Sequence, residues 1–300
     1  MLPLVNLIRN WLYDHHFLKI DRVSETFVVS IGNLTFGGTG KTPVALKLLE
    51  ELQGESVALV TRGYRGRYQS KDLPLEVFSN SDPIVVGDEP LLIKRRLPSV
   101  RVIVDPDRPR GVRFAKASIT VLDDAMQHRR LARDVEIVVV DGEAPFPLLK
   151  LREFSSSLKR ADLVVVMGGN YTPAFPYVRM ERQLVGKWDE KSLAGKKVGL
   201  FCGVGKPEQV AKGLRLAGAE IVNHWFLPDH AAPTREKLDD FIQSCENRRA
   251  TVVLCTEKDW VKLPPGSFPL EVAPLQIQLK ILEGQDIWDK VVKTCKRIKQ

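Results

Sequence analysis

Lys41 and Thr42 close a glycine-rich run, Gly37-Gly38-Thr39-Gly40, and the types and order of these residues suit the binding of a phosphate chain. Glycines let successive backbone N–H groups turn inward around phosphate oxygens. A lysine ammonium at this point reaches the outer phosphates, and a threonine hydroxyl beside it can ligate Mg²⁺. The context is right for that chemistry. An apolar, β-branched run at residues 26–31 enters the loop and a helical pattern, residues 43–53, leaves it, so free N–H groups at a helix start face the same point. Pro43 is tolerated there because the first turn has no intrahelical use for its missing N–H. The strict pattern G-x-x-x-x-G-K-[ST] asks for glycine at position 35, where this chain has Thr35. A glycine-rich turn without a ligand is the plainer reading, and the strand–loop–helix setting argues against it.

A second apolar run, Ser118 to Leu122, ends in Asp123 and Asp124. Carboxylates at the C-terminal end of a strand sit where open α/β sheets bind ligands, and beside a phosphate loop they can hold Mg²⁺. Taken alone, such a pair is more often a turn or a helix cap. A GTPase reading is disfavoured. Three residues after Asp123 stands Met126 rather than glycine, and the nearest late motif, Thr256-Glu257-Lys258-Asp259, has its lysine one place out of register for a guanine reader.

The elements that must position these groups follow from hydrophobic patterning. Apolar runs at 57–61, 100–104, 118–122, 135–140 and 163–167 alternate with helical stretches, which predicts a mostly parallel sheet covered on both faces. A Gly-, Pro- and charge-rich stretch follows Met167, and a second β/α set begins at Lys197. The expected fold is therefore α/β: a P-loop NTPase-like, mostly parallel domain over residues 1–172, a hinge over 173–196, and a smaller α/β domain over 197–300 that includes the C-terminal helix. The 300 residues are ample for two such cores. With 44% hydrophobic and 27% charged residues the chain reads as globular, which excludes disordered and fibrous classes. No run approaches the roughly 18 apolar residues of a membrane-spanning helix. Four scattered cysteines without a CxxC argue against a zinc site or a disulfide framework. The N-terminus lacks the features of a secretory signal.

The net charge of +8 implies an anionic partner: a phosphorylated small molecule, an anionic membrane or nucleic acid. The basic runs Lys94-Arg95-Arg96 and His128-Arg129-Arg130 lack interleaved aromatics, so a nucleic-acid-associated ATPase is the weaker alternative, beside a P-loop kinase for a soluble small molecule. The first twenty residues pattern as one amphipathic helix with Leu4, Ile8, Trp11, Leu12 and His15 on a stripe. That stripe either packs on the domain or lies on a membrane.

The motifs, in order, resemble the tetraacyldisaccharide 4'-kinases of lipid A synthesis. The resemblance rests on SIGNLTFGGTGKTP (Ser30 to Pro43), TRGYRGR (Thr61 to Arg67), VGDEPLLI (Val86 to Ile93) and DPDR (Asp105 to Arg108). It continues through LDDAMQHRRLARD (Leu122 to Asp134), LRE (Leu151 to Glu153), LPDH (Leu227 to His230) and TEKD (Thr256 to Asp259). It implies ATP- and Mg²⁺-dependent phosphorylation of the 4'-hydroxyl of an acylated glucosamine disaccharide 1-phosphate. It also implies two α/β domains joined by a β-type hinge, and a peripheral enzyme on the cytoplasmic face of the inner membrane.

By the same resemblance Asp88 is the general base on the attacking hydroxyl and His230 is its partner. Lys41 and a mobile Arg108 serve the nucleotide phosphates, and Thr42, Asp123 and Asp124 serve the metal. Arg62, Tyr64, Gln127, His128, Arg152 and Glu153 line the substrate or metal site. Locally, Asp88 reads as a helix N-cap. The membrane reading of the N-terminal helix gains from the resemblance, with Trp11, Tyr13 and Phe17 in the interface and Arg9, Lys19 and Arg22 on anionic headgroups. Nucleic acid becomes the least favoured partner, and nothing in the sequence specifies an oligomeric state. The chain departs from the family at Ala125, where glycine is usual, and around Arg152 and Glu153, where Phe154-Ser155 replaces a proline.

Overall fold

The structure, a computed structural model, describes all residues except 1, 65, 69–72, 230 and 298–300. In chain order the elements are α1 (Leu2–Asp14), β1 (Phe27–Gly32), α2 (Lys41–Glu51), β2 (Val57–Thr61), β3 (Leu75–Val77), α3 (Pro83–Val86), α4 (Asp88–Arg96), β4 (Arg101–Val104), α5 (Arg108–Ala115), β5 (Ile119–Asp123), β6 (Val135–Asp141), β7 (Leu163–Met167) and β8 (Tyr177–Val185). There follow α6 (Glu190–Leu193), β9 (Lys197–Cys202), α7 (Pro207–Leu216), β10 (Glu220–Phe226), α8 (Arg235–Asn247), β11 (Val252–Thr256), α9 (Glu257–Trp260), β12 (Val272–Glu283) and α10 (Gln285–Lys296).

The chain forms two compact units, Met1–Arg182 with Leu279–Gln300, and Gln183–Gln278. In the first, the strands run in the order β8-β7-β6-β1-β5-β2-β4-β3, all parallel but for the antiparallel edge strand β3. The chain moves outward from β1 through β2 and β4, returns to β5, and then continues on the other side of β1 with β6 and β7. The loop after β1 and the end of β5 therefore meet at a switch point, where the flanking crossovers diverge and leave a crevice. Continuous apolar strands such as VALVT and LVVVM are buried along their whole length, because helices cover both faces. On one face Val28, Val60, Ile103 and Leu122 pack against Val112 and Ala115 of α5, and farther across the same face Val138 and Val164 gather with Leu34 and Met126 around Leu158.

In the second unit β10, β9, β11 and β12 are parallel, with α7 on one face and α8 on the other. The four cysteines are all free and buried, as their spacing implied.

Two expectations about domain limits are corrected. The boundary falls inside β8, between Arg182 and Gln183, so the stretch expected as a linker over 173–196 contains a nine-residue strand. The smaller unit ends at Gln278, within β12, rather than at 300. The C-terminal helix α10 belongs to the first unit, where Trp288 is fully buried and donates its indole N–H to Glu51 of α2 at 2.8 Å. Burial of so large a side chain explains the assignment.

The N-terminal helix is also shorter than its pattern, ending at Asp14, and its orientation is the reverse of a packed amphipathic helix. Asn6 and Asn10 are buried while Leu4, Val5, Leu7, Ile8 and Trp11 are at least half exposed. Arg9 shares the inward side with the two asparagines and is half-buried, with Nε and Nη2 enclosed, rather than standing out toward solvent.

Candidate functional site

The phosphate loop begins where β1 ends. Gly32 has no room for a side chain, since an added Cβ would lie 2.7 Å from the backbone nitrogen of Met126. This close approach brings the loop after β5 against the loop after β1. Asn33 braces the turn, its Nδ2 donating to Thr39 Oγ1 at 2.9 Å while its carbonyl accepts from Gln127 Nε2 at 2.8 Å. Gly37 (φ 106°) and Gly40 (φ 98°) adopt left-handed conformations that an L side chain strains to reach. No atom stands within 4 Å of the Cβ positions of Gly37 and Gly38, so the loop keeps an open face. Gly40 is the N-cap of α2, and no side chain caps that helix start. Thr42 is buried in its first turn. Free N–H groups and the positive helix end thus remain available to an anion.

Opposite the loop, β5 delivers Asp123 and Asp124. Asp123 is buried, with Thr61 Oγ1 at 3.4 Å from Oδ2 as a weak donor. Burial, reinforced by the charges of Glu89 and Asp124, pushes its carboxyl up to about 6. Asp124 takes a positive φ of 51°, a conformation aspartate tolerates, and turns its carboxylate the other way. Burial opposes its charge, yet the cations of Lys41 and Arg152 outweigh that and hold its carboxyl below the usual range. Lys41 Nζ stands 3.3 Å from Asp124 Oδ1, and Arg152 Nη1 stands 2.9 Å from the same oxygen.

Arg108 opens α5 and is 2% exposed. Its guanidinium donates to the carbonyls of Asp105 at 2.9 Å and Asp123 at 3.0 Å. Expected as a mobile group, it is anchored here to the backbone at the end of β5. Burial lowers its pKa to about 10, partly offset by Asp123 and Asp124. His128 is half-buried, and burial followed by the charge of Arg108 pushes it down to about 4, so the imidazole is neutral at pH 7.

Asp88 is buried in the first turn of α4, where its Oδ1 accepts from Glu89 N–H at 2.9 Å. The capping position itself belongs to Gly87 (φ 92°), a correction to the N-cap reading of Asp88. The loops before α4 and after β2 are laced together: Arg67 N–H donates to Ile84 O at 2.8 Å and Tyr68 N–H to Val85 O at 3.1 Å. This lacing carries the exposed Arg62 and Tyr64 beside the start of α4. Asp88, Lys41, Thr42, Asp123, Asp124, Arg108, Gln127, His128 and Arg152 all belong to the C-terminal edge of the first unit's sheet. Glu153 does not join them: 1% exposed, it accepts from Arg160 Nη2 and Asn10 Nδ2, each at 2.6 Å. His230 lies outside the described residues.

Sequence reasoning overlooked Asn33, Glu89 and Phe36. Asn33 is the brace of the phosphate loop. Glu89 is the largest charge acting on Asp123. Phe36 offers its ring to the Arg152 guanidinium at 4.8 Å. Each sits inside a motif already recognised, and an acid directly after Asp88 is a readable sign of a second carboxylate near the metal position.

The donor set fits a divalent cation. Asp123, Asp124 and Glu89 bring negative charge together at the end of β5, and burial, followed by the two neighbouring acids, raises the Asp123 carboxyl against the opposing charges of Lys41 and Arg108. Among the described residues no three His, Cys, Asp or Glu side chains form a metal cage. Mg²⁺ takes one or two carboxylates and draws its other ligands from phosphates and water.

The profile of the family described as tetraacyldisaccharide-1-P 4'-kinase matches residues 1–296. A tetraacyldisaccharide 4'-kinase of Chlamydia pneumoniae is 36% identical over 288 residues, spanning 86% of this chain and 79% of that protein. The same-named protein of Syntrophus aciditrophicus is 32% identical over 324 residues, spanning 92% and 85%. Among solved structures, LpxK from Aquifex aeolicus, an "apo" form in complex with ATP, superposes with a TM-score of 0.80 at 26% identity and covers 100% of this chain and 96% of that one.

Proposed function

The chain belongs to the tetraacyldisaccharide-1-P 4'-kinase family, and on that premise we propose that the edge described above binds ATP with Mg²⁺ and hands the γ-phosphate to the 4'-hydroxyl of an acylated glucosamine disaccharide 1-phosphate, a lipid A precursor. The observation that carries this reading is the meeting of an open, glycine-rich helix start with Lys41 and an under-neutralised Asp123 at one sheet edge.

Lys41 takes the β- and γ-phosphates and yields part of its contact with Asp124 as it does so. Thr42 Oγ1 and Asp123 would hold Mg²⁺, with Glu89 and Asp124 adding negative charge nearby. When bound, the ion would neutralise charge on the transferring group. Arg108, held from behind by two carbonyls, turns a permanent cation toward the end of β5. A planar guanidinium suits that place because it stays charged even when buried. Asp88 accepts the proton of the attacking hydroxyl; the family resemblance names His230, which lies outside the described residues, as its partner. Gln127, His128, Arg62, Tyr64 and Arg152 contribute to holding the acceptor or the phosphates.

The membrane surface is part of the same proposal. No helix among the described residues is long and apolar enough to cross a bilayer. The outward side of α1 nevertheless offers Leu4, Val5, Leu7, Ile8 and Trp11 to solvent, and Phe36, Leu148 and Leu149 are exposed as well. An apolar helix face with its polar side turned inward suits peripheral binding at the level of the headgroups, where an acylated substrate resides. The cytoplasmic face of the inner membrane is the location this implies.

The reading is tested with the purified protein, Mg²⁺, ATP and acylated disaccharide monophosphate in mixed micelles. Asp88→Ala is expected to retain ATP binding while turnover falls by roughly a hundredfold or more, in the range of general-base removal. Parental turnover would remove Asp88 as the base. Deletion of residues 1–20 is expected to weaken partition onto anionic vesicles while leaving a folded protein, and unchanged partition contradicts the role given to α1.

A further inference from the structure

The buried asparagines of α1 bond to a segment, Leu151–Glu153, that also pairs with the phosphate loop. Asn6 Nδ2 donates to the backbone carbonyl of Arg152 at 2.7 Å, and Asn10 Nδ2 donates to Glu153 Oε2 at 2.6 Å. That segment also pairs with the phosphate loop: Leu34 O accepts from the backbone N–H groups of Arg152 at 2.7 Å and Glu153 at 3.2 Å, and Thr35 bridges Leu151. The Arg152 side chain then grips the carboxylate end of β5, with Nη1 at 2.9 and 3.0 Å from the two oxygens of Asp124 and 3.3 Å from Gln127 Oε1. Gln127 continues to Asn33 and Asn33 to Thr39, inside the phosphate loop. From α1 to the nucleotide edge the path consists of hydrogen bonds between described residues of one compact unit.

Alternative uses of the two asparagines are poorer. A helix that only had to dock would bury its apolar side, and this one buries amides and exposes Leu4, Ile8 and Trp11. A buried amide is retained where its partners need a fixed place, since an unsatisfied partner is penalised heavily. Both partners here, a carbonyl and a carboxylate, belong to consecutive residues, and the first of them carries the guanidinium on Asp124. Arg129 strengthens the seat by donating to Asn10 O at 3.0 Å and Asp14 Oδ1 at 2.7 Å.

We propose that Asn6 and Asn10 are positioning residues for phosphoryl transfer: by seating Leu151–Glu153 they keep the Arg152 guanidinium on Asp124, so that docking of α1 and the geometry of the nucleotide edge form one coupled state. The proposal rests on reading Asp124 and Arg152 as part of the nucleotide site.

The test is a double-mutant cycle in the full-length protein, with Asn6→Ala/Asn10→Ala as one change and Arg152→Ala as the other. Turnover, KM for the lipid, ATP affinity, vesicle partition and Tm are read for each. The asparagine variant is expected to lower kcat about tenfold through two lost hydrogen bonds. Partition onto phosphatidylglycerol-containing vesicles is expected to stay near parental, and no further loss is expected once Arg152 is already alanine. A kcat within twofold of the parent overturns the proposal, and so does a loss that multiplies fully with that of Arg152→Ala. If the double asparagine variant is too unstable to assay, Asn6→Ala alone completes the same cycle. Parental kcat in Asp124→Asn and Arg152→Ala would instead overturn the reading of this edge as the nucleotide site, which separates the two failures.

Discussion

Two aspartates at the C-terminal ends of parallel strands show how differently a buried carboxylate can be treated. Asp259, just beyond β11 in the second unit, is fully buried, with its hydrogen bonds gathered on Oδ2 and a buried ammonium beside Oδ1. It accepts from Gly203 N–H at 3.1 Å and Thr256 Oγ1 at 2.6 Å, and Lys262 Nζ stands 2.9 Å from its other oxygen. Lys262 in turn donates to Ala231 O at 3.1 Å. Asp123, at the end of β5 in the first unit, has one long hydroxyl bond and two acidic neighbours, and burial first, then those acids, raise its carboxyl to about 6 against the opposing charges of Lys41 and Arg108. Lys41 makes its direct contact with Asp124. The first arrangement ties loops together. The second leaves charge waiting for a ligand. A site for chemistry is recognised here by acids gathered at a sheet edge beside an open phosphate loop rather than by burial or by the presence of acids alone.

This contrast can be broken in several ways. The largest effect is expected from Lys41→Met, which should reduce phosphoryl transfer roughly a thousandfold or more while thermal stability without nucleotide stays close to parental, because the partly exposed Lys41–Asp124 pair adds little to folding. Asp123→Asn should lower transfer on the order of a hundred- to a thousandfold, and in nucleotide-free protein its Tm should hold or rise, since the substitution relieves like-charge crowding. A clear fall in Tm would class Asp123 with Asp259 and dissolve the distinction. Asp259→Asn should do the opposite, lowering stability by about 3–5 kcal/mol in denaturant titrations because the buried Lys262 ammonium loses the carboxylate charge beside it. The smallest effect belongs to Lys262→Arg, which keeps the charge and should fall well short of the Asp259→Asn loss.

How far the sequence announced this arrangement depended on whether a function was written in contiguous residues. The glycine-rich run, the carboxylates ending β5 and the buried strands were legible because each is a local pattern with a single physical reading. β8 and β12 were not, although QIQLKIL alternates in the manner of a strand: Gly/Pro-rich neighbours at 168–176 and the charged run within YVRMERQLV hid the first, and a proline at 274 outweighed the alternation of the second. Assignment of α10 to the first unit depends on Trp288 meeting α2, a contact across more than two hundred residues that no local pattern records. The orientation of α1 was left between two readings for a related reason. The apolar stripe was plain, yet which side is buried was decided by Asn6 and Asn10 finding partners at Arg152 and Glu153. Glu153 itself, grouped with the substrate residues by its motif, is consumed in that seat.

The central claim is that the under-neutralised edge of the first unit passes phosphate to a sugar hydroxyl of an acylated disaccharide. Its most direct test is to locate the new phosphate by ³¹P NMR and mass spectrometry of the lipid recovered after incubation with Mg²⁺ and ATP. The account predicts a second phosphate monoester on the 4'-oxygen of the distal glucosamine, absent with Lys41→Met. Phosphate released only to water, or transferred instead to a soluble acceptor, would contradict it.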